Sequence, residues 1–372
     1  MEPYASNLLP HRVRSRFIDN GNGLRMHVLE AGFESSRRPA VVLLHGFPEL
    51  AYCWRKVMPL LAEQGFHVIA PDQRGYGQTT GGDPGYDCNL AAYHPVNLAR
   101  DIVGLIDALG LKTVAVVGHD FGSPVAGYCA SLYPDRFNSV VFMSAPFEGV
   151  VSAQEIAEAR SGRERIAHEL AQLNPPRKHY QDYYCSTAAN ENMWQAPQGL
   201  RNFQRAYYHV KSADWSGNAP GQLPDGSAAS LARMPPYYIM PAGSGMAESV
   251  APDAPSNGEV AQNQWLTENE LKVFHSEFSR TGYQGGLNWY RAIRTAPPID
   301  LADHPREIQQ PTLFISGALD WGTYQKSGAL ERMQNQICQN HQGTHLILHA
   351  GHWVQQEQPE ATARLLLEFL NS

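Results

Sequence analysis

Short apolar runs rich in β-branched residues alternate along this chain with stretches whose apolar positions recur at helical spacing. Arg14–Glu30 alternates apolar and polar residues around Asn20-Gly21-Asn22-Gly23, which predicts a hairpin turning at those residues. Ala40–Leu44, His67–Ala70, Val114–Val117 and Val140–Met143 read as strands buried on both faces. Trp54–Ala62 and Leu98–Leu109 have helical periodicity, the second closed by Gly110. A further small-and-apolar helical segment, Gly127–Tyr133, stops at Pro134. Strands alternating with helices predict an α/β fold built on a mostly parallel sheet flanked by helices.

After Ser144-Ala145-Pro146 the pattern changes. Ser152–Leu173 is polar and helical, Asn174–Tyr208 is rich in Tyr, Asn and Gln, and Asn263–Arg280 is helical again. Between them, Asp214–Asn257 is dense in Pro, Gly and Ala and shows no firm period. A stretch of this kind reads as a lid or binding segment. Sheet character returns at Pro311–Ser316 and His345–Leu348, and Thr362–Leu370 predicts a last helix. The expected division is a core at 1–149 and 300–372, with a mainly helical cap domain inserted at 150–299.

Composition narrows the partners. The chain has 372 residues, 43% hydrophobic and 17% charged, enough for a sizeable core. A net charge of -7 lacks the basic field that nucleic acid or an anionic membrane requires. No apolar run reaches the length of a membrane span. Met1–Asn7 lacks the basic and then apolar regions of a secretion signal. Cys53, Cys88, Cys129, Cys185 and Cys338 are odd in number and scattered, without metal-ligand spacing, so reduced thiols and a cytoplasmic location are expected. There is no dinucleotide or phosphate-loop fingerprint and no internal repeat, so neither cofactor nor metal is expected.

The chemistry centres on Val114–Val125, VAVVGHDFGSPV. A strand, a tight Gly118-His119-Asp120-Phe121-Gly122 turn and a helix resemble the nucleophile elbow of α/β-hydrolases. Most hydrolases of that fold carry Ser at the central position, which here is Asp120. A carboxylate needs no deprotonation to attack carbon, and the product of its attack is an alkyl ester. Epoxides and alkyl halides suit that chemistry. Taken alone, Asp120 has a second reading, as a helix cap. HGFPE at His45–Glu49, DQRGYG at Asp72–Gly77, GHDFG at Gly118–Gly122 and AGHW at Ala350–Trp353 together resemble the epoxide hydrolases of the α/β-hydrolase superfamily. The resemblance covers nearly the whole chain, least closely at Asp214–Asn257.

It implies a role for each matching residue. Asp120 is the expected nucleophile and His352 the base that activates water. His345 and His349 are rivals, in or beside a strand where packing is expected of them. His119 is expected to support the nucleophile. Asp320 is the expected partner of His352, with Glu148 as its rival. The backbone N–H groups of Phe47 and Phe121 are the expected oxyanion donors, and the bond before Pro48 is expected to be cis. Tyr180 and Tyr290 are expected to donate to the epoxide oxygen, although Tyr183, Tyr184, Tyr207 and Tyr208 compete with the first. His45, Pro48 and Trp353, within these motifs, and Trp289, beside Tyr290, are expected to line the substrate site.

One departure bears on substrate. Phe121-Gly122-Ser123-Pro124 follows the nucleophile where the family often has Trp and then Gly-Gly. Without that indole N–H a halide loses its cradle, which counts against a haloalkane dehalogenase. Epoxide hydrolysis is therefore the primary reading, with a small-molecule epoxide as partner. The alternatives are a dehalogenase using the same residues and a non-catalytic ligand-binding protein on this fold. A homodimer is the oligomer considered.

Overall fold

The computed structural model describes residues 2–35 and 37–372. Eight strands form one sheet: β1 (Val13–Asp19), β2 (Arg25–Ala31), β3 (Ala40–Leu44), β4 (His67–Pro71), β5 (Val114–His119), β6 (Phe137–Met143), β9 (Ile308–Gly317) and β10 (Cys338–Ile347). Their order is β1-β2-β4-β3-β5-β6-β9-β10. β1 pairs antiparallel with β2, and β2 antiparallel with β4; the other neighbours are parallel. This is the mostly parallel sheet that the alternating pattern predicts. β3 and β5 are buried along their whole length, as apolar runs with helices on both faces require.

The expected elements form with shifted edges. The helix expected at Leu98–Leu109 spans Pro95–Ala108, because Pro95 occupies its first turn and the His94 ring accepts from Val96 N–H. The helix after the elbow is Gly122–Leu132. β10 begins seven residues before the expected His345. Its polar start, Cys-Gln-Asn-His-Gln-Gly-Thr, lies on the sheet edge, where one side faces solvent and no apolar run is demanded. His345 and His349 are both exposed, which corrects the packing role expected of them.

Between β6 and β9 the chain forms a mainly helical cap with one small two-stranded sheet, β7 (Arg177–His179) against β8 (Ile239–Pro241). Long helices at Ala153–Ala171, Leu200–Lys211, Glu268–Thr281 and Gln284–Arg294 carry it. The segment without a readable period folds into short pieces, Ala228–Leu231, β8 and Met246–Val250, whose Leu231, Met240, Met246 and Val250 are buried. Pieces this short have no room for a repeating face. The last turn of Leu200–Lys211 touches the core: His352 N–H donates to Lys211 O at 2.8 Å.

Candidate active site

Asp120 follows β5 directly and has a positive φ of 52°. A non-glycine residue there is strained and must be held by its surroundings. Gly118 and Gly122 allow the turn to close: a Cβ on Gly118 would lie 2.1 Å from Gly122 O, and one on Gly122 2.5 Å from Leu44 O. The Asp120 N–H donates to Met143 O, and its O accepts from Ser123 N–H, which pins the turn. Its carboxylate lies over the end of β3, where Phe47 N–H donates to Oδ1 at 2.8 Å. The bond before Pro48 is cis, as expected. The Phe121 amide makes no hydrogen bond to that oxygen; its ring packs on Trp289 and Tyr290.

His352 approaches from the loop after β10. Its Nε2 lies 3.4 Å from Asp120 Oδ2, and its Nδ1 lies 3.0 Å from Asp320 Oδ1. Ser144 Oγ also lies 3.0 Å from Nδ1 and stands at a positive φ of 68° at the end of β6. A carboxylate beside Nδ1 keeps a proton there, so it is Nε2 that releases and takes up a proton when the ring changes charge. Asp320 also accepts from Gly322 N–H and Ser316 Oγ, so it caps a short turn as well as holding the imidazole. The rival Glu148 is ion-paired with Lys326 and Arg332 instead.

Electrostatics couples these groups. Burial pushes Asp120 toward its neutral form, but His352 and Lys211 outweigh it and hold the carboxyl well below the usual range. Burial and Lys211 push His352 down, yet Asp320 and Asp120 raise it to about 9. For Asp320 burial likewise opposes ionisation, and His352 overcomes it.

Tyr180 and Tyr290 converge from two cap helices, with ring centroids 6.1 Å apart. The Tyr290 ring also packs edge-on against Phe47, Phe121 and Tyr184. Burial and the Asp120 charge keep both phenols protonated far above neutral pH. The Tyr290 hydroxyl has no hydrogen-bond partner among the described residues, whereas the Tyr180 hydroxyl has two, Gln181 and Gln325. Of the competing tyrosines, Tyr184 and Tyr207 hydrogen-bond to each other, Tyr208 to Pro48 O and Tyr183 to Asn192.

Three residues expected to line the substrate do not. Asp120 keeps 9% of its surface and Tyr180 and Tyr290 keep 5% each, but His45, Trp289 and Trp353 keep none. Each is spent on support. His45 bonds to Gly46 O and accepts from Gln73 N–H. Trp289 donates to Arg74 O and braces Phe121. Trp353 donates to Tyr208 O and packs on His352. Pro48 is buried, and its carbonyl receives the Tyr208 hydroxyl. Aromatic residues beside reactive ones in sequence do not by that fact reach the same space.

His119 is the residue expected to support the nucleophile, whereas Glu49 and Lys211 had no expected role. His119 donates through Nε2 to His352 O at 2.7 Å and faces Glu49 through Nδ1 at 2.8 Å. Glu49, the last residue of HGFPE, also accepts from Gln355 and Gln356. Lys211 is buried with its ammonium among the rings of Tyr207, Tyr237, Tyr238 and Trp353, the nearest centroid 4.9 Å away. It forms no hydrogen bond or ion pair through that ammonium among the described residues. A lone Lys in a polar helix sequence carries no signal of such burial. No group of three or more potential metal ligands occurs among the described residues. Among the described residues no helix is long and apolar enough to cross a membrane.

Comparison with known proteins finds close relatives of this chain. A family pattern described as alpha/beta hydrolase fold matches residues 39–166. Epoxide hydrolase B of Mycobacterium tuberculosis is 36% identical over 355 residues, covering 95% of this chain and 97% of that protein. Epoxide hydrolase A of the same organism is 32% identical over 358 residues, covering 95% and 96%. Among solved structures, an epoxide hydrolase from an endophytic Streptomyces superposes with a TM-score of 0.76 at 30% identity, covering 97% of this chain and 96% of that one. Epoxide hydrolase A from Mycobacterium thermoresistibile gives 0.73 at 31% identity, covering 97% and 98%. With relatives this similar over nearly its full length, the chain belongs to the epoxide hydrolase family of the α/β-hydrolase fold.

Proposed function

We propose that this protein hydrolyses small-molecule epoxides to vicinal diols through an ester on Asp120. The observation that carries the reading is a carboxylate at the elbow, set between a His–Asp pair and a phenol with no other partner. Asp120 Oδ1 is occupied by Phe47 N–H, so Oδ2 attacks a ring carbon. The carbon–oxygen bond of the ring breaks, and its electron pair goes to the ring oxygen. Tyr290 and Tyr180 donate to that oxygen, and the proton it takes from one of them is replaced through solvent by the proton His352 then releases. The 150–299 cap supplies both tyrosines, and the 1–149 and 300–372 core supplies the nucleophile, base and acid.

Esterification removes the negative charge of Asp120. One of the two carboxylates that raise His352 is then gone, while burial and Lys211 still push its proton off. The imidazole becomes neutral and takes a proton from water, and the hydroxide attacks the ester carbon. Charge gathers on Oδ1, where Phe47 N–H already points. The bond from the ester carbon to Oδ2 breaks, that oxygen takes the proton His352 has just gained, and the diol leaves. Phe121 N–H is the second expected donor, and it has to turn toward Oδ1 as that charge forms.

The test is a panel of epoxides and haloalkanes with diol and halide release both measured. Diol formation without halide release is expected. Halide release without diol formation would replace this reading with the dehalogenase, which Phe121 already disfavours, because its side chain has no N–H to hold a leaving halide.

A further inference from the structure

The two phenols are not equivalent. Both glutamines bonded to Tyr180 have their amide orientations set from outside. Arg294 Nη1 donates to Gln181 Oε1 at 2.8 Å, so Gln181 presents its Nε2 to the Tyr180 hydroxyl at 3.0 Å. Gln325 Nε2 faces Gly322 O at 3.3 Å, so Gln325 presents its Oε1 to the same hydroxyl at 3.1 Å. A phenol has one proton. With Gln181 donating to its oxygen, Tyr180 gives that proton to Gln325.

The ring itself does not depend on this bond. Tyr180 is buried against His179, Tyr184, Tyr238 and Tyr290. Gln325 belongs to the core loop after Asp320, whereas Tyr180 and Gln181 belong to the cap. The bond therefore ties cap to core. Gln181, Arg294, Gly322 and Gln325 also line a cavity of about 790 Å³ whose lining does not include Asp120.

We propose that Gln325 is a positioning residue that holds the Tyr180 proton in the resting enzyme and competes with the epoxide oxygen for it. This rests on the reading that Tyr180 donates during ring opening. Tyr290 donates from the outset, and Tyr180 donates only when the substrate displaces Gln325.

The test uses full-length protein and styrene oxide as probe, with formation of the Asp120 adduct followed by rapid quench and intact mass. Gln325→Leu removes the competing acceptor and should speed adduct formation roughly two- to tenfold, the effect of one neutral hydrogen bond. Gln325→Glu supplies a stronger, charged acceptor and should slow it by at least as much. Loss of packing alone moves both variants the same way. In a Tyr180→Phe background the two variants should differ from each other by less than twofold. Should Gln325→Leu fail to fold, Gln325→Ala makes the same comparison. Effects of equal sign, or opposite effects that survive in the Tyr180→Phe background, would overturn the proposal. If Tyr180→Phe alone leaves adduct formation unchanged, it is the donor role of Tyr180 that fails, and the proposal fails with it.

Discussion

Replacing Tyr290 by Phe should separate catalysis from stability. Its hydroxyl bonds to nothing among the described residues, so its removal strands no partner. Its ring contacts with Phe47, Phe121, Tyr180 and Tyr184 are kept by Phe. The folding free energy should therefore change by less than about 0.5 kcal/mol. Ring opening should suffer heavily, because a preorganised donor to a developing oxyanion is worth about 10²–10³ in rate, or roughly 3–4 kcal/mol. Tyr180→Phe should show the reverse balance. It leaves Gln181 Nε2 and Gln325 Oε1 without their partner, at about 1 kcal/mol of stability. Its kinetic loss should be smaller than that of Tyr290→Phe, because its proton is already engaged. Denaturant melts and rapid-quench measurement of the Asp120 adduct with styrene oxide give both quantities for each variant. Adduct formation by Tyr290→Phe within threefold of the wild type would refute the donor assignment, and so would a larger loss of stability in Tyr290→Phe than in Tyr180→Phe.

Two further outcomes follow from His352. His352→Gln should form the ester and accumulate it, because alkylation needs Asp120 and the tyrosines while hydrolysis needs the base; a folded variant that turns over normally points to another base. In the wild type, ester formation should be nearly flat from pH 6 to about 8, since Asp120 is held ionised and both phenols stay protonated. Ester hydrolysis should instead rise with pH through a midpoint about 1–3 units below the value of about 9 in the free enzyme, because the ester has lost one carboxylate that raises His352. Lys211→Met removes a cation that lowers His352, so single-turnover pH profiles should show this midpoint moving upward; a downward move contradicts the electrostatic scheme.

The core was readable because burial on both faces of a parallel sheet leaves little choice of residue. Val41–Leu44 and Val114–Val117 are uniformly apolar for that reason. β10 was half hidden, since an edge strand tolerates polar residues, and its first part is polar. β7 and β8 were hidden altogether. Arg177–His179 has no apolar position, and three residues are too few to show an alternation. In the site, Asp120 and His352 sit in short motifs with set order, and they converge with Asp320, which follows the strand expected at Pro311–Ser316, and with Tyr290. His45 and Trp353 sit in the same motifs and Trp289 beside Tyr290, but all three turn into the core, because a side chain's direction depends on packing that a motif does not encode. Lys211 and Gln325 lie outside the motifs and reach the site through the ends of elements far apart in the chain.

Covalent attack by Asp120 is the step on which the proposed mechanism rests. A single turnover in heavy-oxygen water, followed by peptide mass spectrometry, reads this at one residue. Water attacks the ester carbon, so label is expected in the Asp120 carboxylate with an unlabelled diol, whose new oxygen comes from Asp120 itself. Label in the diol with none in Asp120 would mean that water attacks the epoxide directly and that no ester forms.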